Sequence, residues 1–206
     1  MEARNLMPAD LRGTARPTEP LAAGSRPLAE GPRPEVRGKF LVVGDTTFHV
    51  RGVTYGAFRP DEHDREYRDL DAIDVDFAQM AANGINAVRI PHTMPPRALL
   101  DLAAEHGLRV MVGLSAEQYV GFLIDRKGAP DVAEIVRAKV RACAGHPVLL
   151  CYALGNEIPA QIVRWLGPRR IERYLEHLAR VVKAEDPDGL MRTSRPGRSS
   201  PAIPPG

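Results

Sequence analysis

The sequence predicts an α/β domain built on a parallel β-sheet, and three observations indicate this. Short apolar runs typical of buried strands alternate along the chain with segments whose apolar residues recur at helical spacing. The interval between successive runs leaves room for the crossover helix that parallel strands require. About four such strand–helix units fit into the chain, whereas a closed (β/α)8 barrel takes about 250 residues. The pattern therefore leaves two architectures open, a small open sheet and part of a barrel.

The strands are predicted from their apolar runs and turn signals. A β-hairpin comes first, because residues 39–43 and 46–50 flank Gly44-Asp45, a turn pair in which glycine supplies positive φ. Its second arm continues into the first parallel strand at residues 51–55. The remaining strands are predicted at residues 85–90, 108–114 and 148–154. The last two are almost continuously apolar, as in strands that are buried on both faces.

Four helices are predicted between and after these strands. Each begins at a residue type that caps or starts helices and ends at a glycine or a turn. The predicted bounds are Asp71 or Asp74 to Asn83-Gly84, Pro95-Pro96 to Gly107, Asp131 to Gly145, and about Pro168 to Glu185. Glu134, three residues after Asp131, completes a capping-box pattern.

Proline-rich segments bound the predicted domain. Residues 1–37 and 191–206 hold ten of the 19 prolines and lack apolar periodicity. We expect both segments to be disordered tails. The ordered domain is predicted over residues 38–190.

The composition is that of an ordinary globular protein and excludes several partners. Of the 206 residues 44% are hydrophobic and 26% are charged, and the formal net charge is only +2. Lysine and arginine are dispersed, so no nucleic-acid partner is predicted. No apolar run has the length of a membrane span and the N-terminus lacks a signal-peptide segment, so we expect a cytoplasmic protein without membrane contact. Cys143 and Cys151 lie in apolar stretches and are predicted to be buried thiols.

Polar residues gather at the predicted carboxyl ends of the parallel strands, where sites collect in such architectures. In chain order the strand ends carry Tyr55 to Asp64, Arg89 and His92, Glu117 and Gln118, and Asn156 and Glu157. Glu157, in the segment LGNEIP, directly follows an apolar strand and is predicted to point into the mouth that the strand ends form. Burial at such a mouth raises the pKa of a carboxyl group, which suits it to proton transfer.

Structural interpretations of the same residues stay open. Asn156-Glu157 can be a cap or the salt-bridge partner of Arg89, and His92 can be a hydrogen-bonded loop residue. Trp165 either packs beneath a helix or offers an aromatic platform. The run Asp61 to Asp64 is not expected to bind a metal, because consecutive residues point in different directions and no second ligand cluster is evident.

Four segments of the chain, in this order, resemble clan A retaining glycoside hydrolases, and above all the (β/α)8 catalytic domain of glycoside hydrolase family 2. The segments are FHVRGVTYGAF, GINAVRIPHT, DLAAEHGLRVMVGL and HPVLLCYALGNEIP. The Asn-Glu pair that ends the fourth strand and the arginine of the second belong to the same pattern. The resemblance implies an incomplete (β/α)8 TIM barrel of about four βα units, preceded by the short β-hairpin.

The resemblance also implies a role for each matching residue. Glu157 would be the general acid/base that protonates the departing glycosidic oxygen and later deprotonates water. Asn156 would hydrogen-bond the 2-hydroxyl of the sugar, and Arg89 would orient the nucleophilic carboxylate. His92 would line the sugar subsite. Trp165 lies outside the matching segments, and its position soon after the fourth strand makes it a candidate platform for a sugar ring. The expected partner is a carbohydrate substrate, and no metal or cofactor is expected.

The family's nucleophile is a glutamate at the end of the seventh strand, and we assign none in this chain. The end, MRTSRPGRSSPAIPPG, contains no acid, and we expect it to be a truncated or frame-shifted end or an artificial gene boundary. Glu117 is the other strand-end acid near Glu157 and is not expected to replace the nucleophile. The open edges of a partial barrel predict low stability, pairing with a second copy, or dependence on a missing C-terminal half.

Three functions stay open at this point. The first is a glycoside hydrolase domain that cleaves O-glycosyl bonds with retention and is inactive where the nucleophile is absent. The second is a non-catalytic carbohydrate-binding or accessory module of a polysaccharide-processing or glycosyltransferase protein. The third is a small open α/β domain in which LGNEIP is merely structural.

Overall fold

The computed structural model describes residues 31–63, 65–124, 127–155 and 158–192, and the architecture below refers to these residues. Asn156 and Glu157 lie outside them, as do most of the two predicted tails. The strands are β1 (Pro34–Arg37), β2 (Phe40–Val43), β3 (Thr46–Thr47), β4 (Gly52–Thr54), β5 (Ala87–Ile90), β6 (Arg109–Gly113), β7 (Leu149–Ala153) and β8 (Met191–Arg192). The helices are α1 (Leu70–Ala82), α2 (Arg97–Glu105), α3 (Val132–Cys143), α4 (Ala160–Leu166) and α5 (Pro168–Glu185), with a 3-10 helix at Ala116–Leu123.

The parallel sheet has its strands in chain order, β4-β5-β6-β7-β8. Because crossovers between parallel strands are right-handed, an order without reversal places every connecting helix on the same face of the sheet. A doubly wound sheet reverses its order, whereas a barrel does not. The predicted fold class, an incomplete TIM barrel of about four βα units, is confirmed.

The expectation of a disordered tail from residue 191 onward is wrong at the start of that segment, because a fifth parallel strand begins there. Met191 and Arg192 form β8 and pair with Tyr152 and Ala153 of β7. The backbone N–H of Tyr152 donates to the carbonyl of Leu190 at 2.9 Å. This pairing uses backbone groups at the edge of β7, so it needs no apolar pattern in β8 itself.

The predicted hairpin is present, but it belongs to a three-stranded sheet of β1, β2 and β3, which we call the hairpin sheet. β2 and β3 pair antiparallel around Gly44, whose φ is +60°, and β1 pairs with the other side of β2. β1 lies at residues 34–37, within the segment predicted to be a disordered tail, so the tail is wrongly bounded there. Its four residues are held by ladder hydrogen bonds to β2, which composition does not reveal.

Two faces of the parallel sheet differ in burial. Val88, Ile90 and Val110 are at most 1% exposed and belong to the core beneath the helices. The residues that alternate with them point to the opposite face, where Arg89 lies between Thr54 and Met111 in the register and is partly exposed. This second face corresponds to the interior of a barrel.

The helix ends follow local capping chemistry. Asp69 caps α1, because its carboxylate accepts from the N–H of Ala72 at 3.0 Å, so the predicted caps Asp71 and Asp74 are wrong and lie inside the helix. Asp131 caps α3 as predicted, accepting from the N–H of Glu134 at 3.0 Å.

In the described part of the chain, no helix combines the length and apolarity needed to cross a membrane.

The segment just before β1 lies against the amino-terminal end of the parallel sheet. Arg109, the first residue of β6, is 1% exposed and donates to the carbonyl oxygens of Pro147 and, at 2.9 Å, of Pro32. Burial lowers the pKa of this guanidinium. The carboxyl ends of the strands lie at the other end of the sheet, where sites collect in this architecture.

Candidate functional site

The carboxyl ends of β5 and β6 approach each other closely. A Cβ atom placed on Gly113, the last residue of β6, would lie 2.5 Å from the carbonyl carbon of Pro91 and closer still to its oxygen. Two residues on, Ser115 has φ +55°, and its buried hydroxyl donates to the carbonyl oxygens of Pro91 at 3.4 Å and His92 at 3.3 Å. These contacts hold the loop that carries His92 against the start of the 3-10 helix that carries Glu117.

An imidazole, a carboxylate and an ammonium group meet at this mouth. Nδ1 of His92 lies 4.0 Å from Oε1 of Glu117, and the Glu117 side chain is 11% exposed, against 44% for His92. Lys139 of α3 reaches the same strand end and donates from Nζ to the carbonyl of Leu114 at 3.2 Å. Burial lowers the pKa of Lys139, and the negative charge of Glu117 opposes this shift. The arrangement is suited to binding a polar, hydroxyl-rich ligand.

The end of β7 is joined directly to this cluster. The N–H of Ala116 donates to the carbonyl of Leu154 at 3.0 Å, and the hydroxyl of Tyr174 donates to the carbonyl of Ala116 at 2.9 Å. The residue before Glu117 is therefore held to the residue just after β7. Asn156 and Glu157 directly follow Gly155 in the chain but lie outside the described residues, so their roles stay predictions.

Arg89 and Trp165 have different positions. Arg89 lies within β5, one residue before its end, on the face opposite the helices, so the strand brings it toward the same mouth as His92. Trp165 lies in α4 and is 79% exposed. It does not pack beneath a helix, because α4 contains no buried residue. Its use as a sugar platform stays a prediction.

The acidic run after β4 forms a turn. The carboxylate of Asp61 accepts from the N–H groups of His63 and Arg65, each at 2.9 Å, and from Nε of Arg65 at 2.9 Å. The hydrogen bonds from Arg65 are the main reason that the pKa of Asp61 falls to about 2. Among the described residues, which exclude Asp64, no group of three or more His, Cys, Asp or Glu side chains is arranged to hold a metal.

Lys139 and Ser115 are residues of this site that the sequence did not predict. Lys139 had a detectable signal, since it lies between the buried Val136 and Val140 on the apolar face of α3. A lysine in that position either snorkels to the surface or meets a buried acceptor. Ser115 had no signal, because its left-handed backbone depends on contacts with another strand.

Comparison with known families assigns the chain to one of them. Residues 35–196 match the family described as glycosyl hydrolases family 2, TIM barrel domain. The chain belongs to this family. The match runs from β1 past β8, so the glycosyl hydrolase domain includes the hairpin sheet and the fifth parallel strand. The resemblance that the four sequence segments suggested is confirmed.

Solved structures similar to this glycosyl hydrolase domain include carbohydrate-active enzymes. The β-mannanase from the blue mussel Mytilus edulis has a TM-score of 0.58 at 13% identity, with 78% of this chain and 62% of that chain covered. The Bifidobacterium dentium β-glucuronidase complexed with coumarin-3-O-glucuronide has a TM-score of 0.58 at 19% identity, with coverages of 78% and 26%. Saccharomyces cerevisiae Gas2p in complex with laminaripentaose has a TM-score of 0.56 at 19% identity, with coverages of 77% and 37%.

These similarities establish the fold of the glycosyl hydrolase domain. The chain spans between 26% and 62% of the lengths of these three structures. A search of curated proteins gives no match.

Proposed function

We propose that this domain binds carbohydrate at the mouth formed by the ends of β5, β6 and β7 and takes part in the cleavage of O-glycosidic bonds with retention of configuration. The observation that carries the proposal is the convergence of three strand ends in a member of a glycosyl hydrolase family. His92 and Glu117 lie 4.0 Å apart there, and the carbonyl of Leu154, two residues before Asn156, is bonded to the same cluster.

In this proposal Glu157 is the general acid/base. Its carboxyl proton passes to the glycosidic oxygen as the bond to the anomeric carbon breaks, and the resulting carboxylate later takes a proton from water. Asn156 hydrogen-bonds the 2-hydroxyl of the sugar, and His92 and Trp165 contact the sugar. Arg89 orients the second carboxylate, which in retaining hydrolases lies about 5–5.5 Å from the first.

We assign no nucleophile to a residue of this chain, so the proposal separates two contributions. The residues of this chain that carry the proposal are the sugar-binding residues and the acid/base. An added anion can then replace the nucleophile. Azide attacks the anomeric carbon, a C–N bond forms as the C–O bond to the leaving group breaks, and Glu157 delivers a proton to the departing oxygen.

The test measures release of phenol from a panel of phenyl and 2,4-dinitrophenyl glycosides in the presence of azide. We expect Glu157→Gln to slow the release of phenol from phenyl glycosides about 10²- to 10³-fold, which is within the usual contribution of a positioned acid. We expect a much smaller effect on dinitrophenyl glycosides, because that leaving group departs without protonation. Glu176→Gln, at an exposed glutamate of α5, is the matched control and should retain the full rate.

Equal rates for Glu157→Gln and the unmodified chain on phenyl glycosides would remove Glu157 from the mechanism. Sugar binding without any azide-dependent cleavage would favour the second function considered above, a non-catalytic carbohydrate-binding module.

A further inference from the structure

A cavity lies between the loop that follows β4 and helix α1. Its volume is about 300 Å³. Tyr55 and Phe58 form an aromatic wall, and Arg59, Arg68, Glu66 and Asp76 contribute polar groups. We propose that this cavity binds one pyranose unit of an oligosaccharide whose reacting end lies in the mouth, an inference that rests on the proposed function.

The aromatic wall belongs to a group of three rings that pack against one another. The ring of Phe58 is 41% exposed. It meets the rings of Tyr55 and Tyr67 edge-on, with centroids 5.0 and 5.7 Å away. Both tyrosines are buried. A ring held in this way offers an apolar surface to the C–H face of a sugar, and it loses little side-chain entropy on binding.

The polar wall includes a hydrogen-bond acceptor that the described residues leave unsatisfied. Oε1 of Glu66 accepts from the hydroxyl of Thr93. Oε2 of the same carboxylate is buried and has no hydrogen-bond partner within the described residues. Buried acceptors are normally paired, so we expect this carboxylate to turn toward a ligand in the cavity that brings its own donor, such as a sugar hydroxyl. Asp76 already accepts from the hydroxyl of Tyr55 at 2.8 Å and therefore positions the aromatic wall.

A hydrogen bond connects the wall of the cavity to the loop of the mouth. Thr93, which donates to Glu66, directly follows His92 in the chain. A sugar chain that leaves the mouth at His92 therefore reaches Glu66 without crossing another element. The volume is at the lower end of the range for small-molecule sites, which suits one sugar unit rather than several.

The test compares the affinity of the full chain for short and long oligosaccharides by titration calorimetry. The probes are laminaribiose and laminaripentaose, and mannobiose and mannopentaose. We expect the unmodified chain to bind at least one pentaose more tightly than the matching biose. Phe58→Ala should weaken binding of that pentaose about tenfold, the effect of losing one aromatic contact, and should leave the biose unchanged.

Two further variants make the result independent of folding. Phe58→Leu keeps the apolar packing on Tyr55 and Tyr67 but removes the flat ring, so we expect the same loss at an unchanged thermal unfolding midpoint. Phe40→Ala is the matched control, since Phe40 is 50% exposed and lies on the hairpin sheet. It should bind like the unmodified chain.

Pentaose affinity that is unchanged in both Phe58 variants would overturn the inference and leave the proposed function standing. Equal losses of biose and pentaose binding in Phe58→Leu would also overturn the inference, because the ring would then contact the sugar that lies in the mouth. Failure of the unmodified chain to bind any of the four sugars would overturn both the inference and the proposed function.

Discussion

Gly113 is the residue with the least space for a side chain among the described glycines that face a neighbouring strand. The atoms that a Cβ would meet are the carbonyl groups of Pro91 and Ile90, which are backbone atoms and cannot rotate away. Any side chain therefore forces the ends of β5 and β6 apart. We expect Gly113→Ala to lower the free energy of unfolding by about 3 kcal/mol, the upper part of the range for overpacking.

Urea unfolding followed by circular dichroism measures this loss. Gly121→Ala is the control, because nothing lies within 4 Å of a Cβ at that position. It should change stability by less than about 1 kcal/mol. Equal stabilities of the two variants would mean that the two strand ends are not in contact in solution.

At the same scale, the sequence predicts strand-end residues better than it predicts their contacts. Arg89, His92 and Glu117 are found near the predicted strand ends, because an apolar run marks where a strand stops. The contact of Lys139 with the carbonyl of Leu114 joins residues 25 positions apart. Such a contact depends on how α3 crosses the sheet, which periodicity does not encode. The roles of Asn156 and Glu157 stay predictions.

At the scale of elements, an ion pair ties the residue before β1 to the end of α5, next to β7. Nη1 and Nη2 of Arg33 each donate to a carboxylate oxygen of Asp186 at 2.8 Å, and the hydroxyl of Tyr152 donates to the same carboxylate at 2.7 Å. Asp186 is 5% exposed. We expect Arg33→Ala to cost about 2 kcal/mol of unfolding free energy at neutral pH, because the buried carboxylate loses its charged partner.

The pH dependence of this loss identifies its cause. The hydrogen bond from Arg33 is the largest effect that lowers the pKa of Asp186 below its ordinary value of 3.8. A lowered carboxyl pKa stabilises the folded state above the ordinary value, and the contribution disappears as the pH falls through the lowered pKa. The difference between Arg33→Ala and the unmodified chain should therefore shrink below pH 3.8.

Arg37→Ala is the control for this prediction. The side chain of Arg37 is 54% exposed, and its Nη1 lies 3.5 Å from Oδ1 of Asp45 on the surface of the hairpin. Exposed pairs of this kind contribute at most about 1 kcal/mol. A similar loss in both variants, or a loss that does not change with pH, would contradict the role given to Asp186.

Elements that carry a periodic pattern of apolar residues are predicted more accurately than strands that are held only by hydrogen bonds to a neighbouring strand. The bounds of α5, Pro168–Glu185, agree with the prediction, because a long stripe with Ile171 and Leu178 buried defines them. β1 and β8 were missed, since each is stabilised by hydrogen bonds to a neighbouring strand. α4 was missed because it has no buried stripe at all.

At the scale of the whole molecule, the described sheet has an open side at β4. Gly52–Thr54 pairs with β5 on one side only, and all three residues are exposed. Val53 is 37% and Val50 is 49% exposed. An apolar edge with unpaired backbone groups favours pairing with another chain. We therefore propose that the chain self-associates through this edge.

Sedimentation velocity over a range of concentrations tests this proposal. We expect the unmodified chain to form dimers, and Val53→Lys to weaken dimerisation at least about tenfold, because a charged side chain at an edge strand opposes pairing. Val75→Lys is the matched control, since Val75 is 54% exposed but lies on α1, away from the edge. A monomer at every concentration, or equal effects of the two lysines, would show that β4 is not the contact and that the open edge is tolerated without a partner.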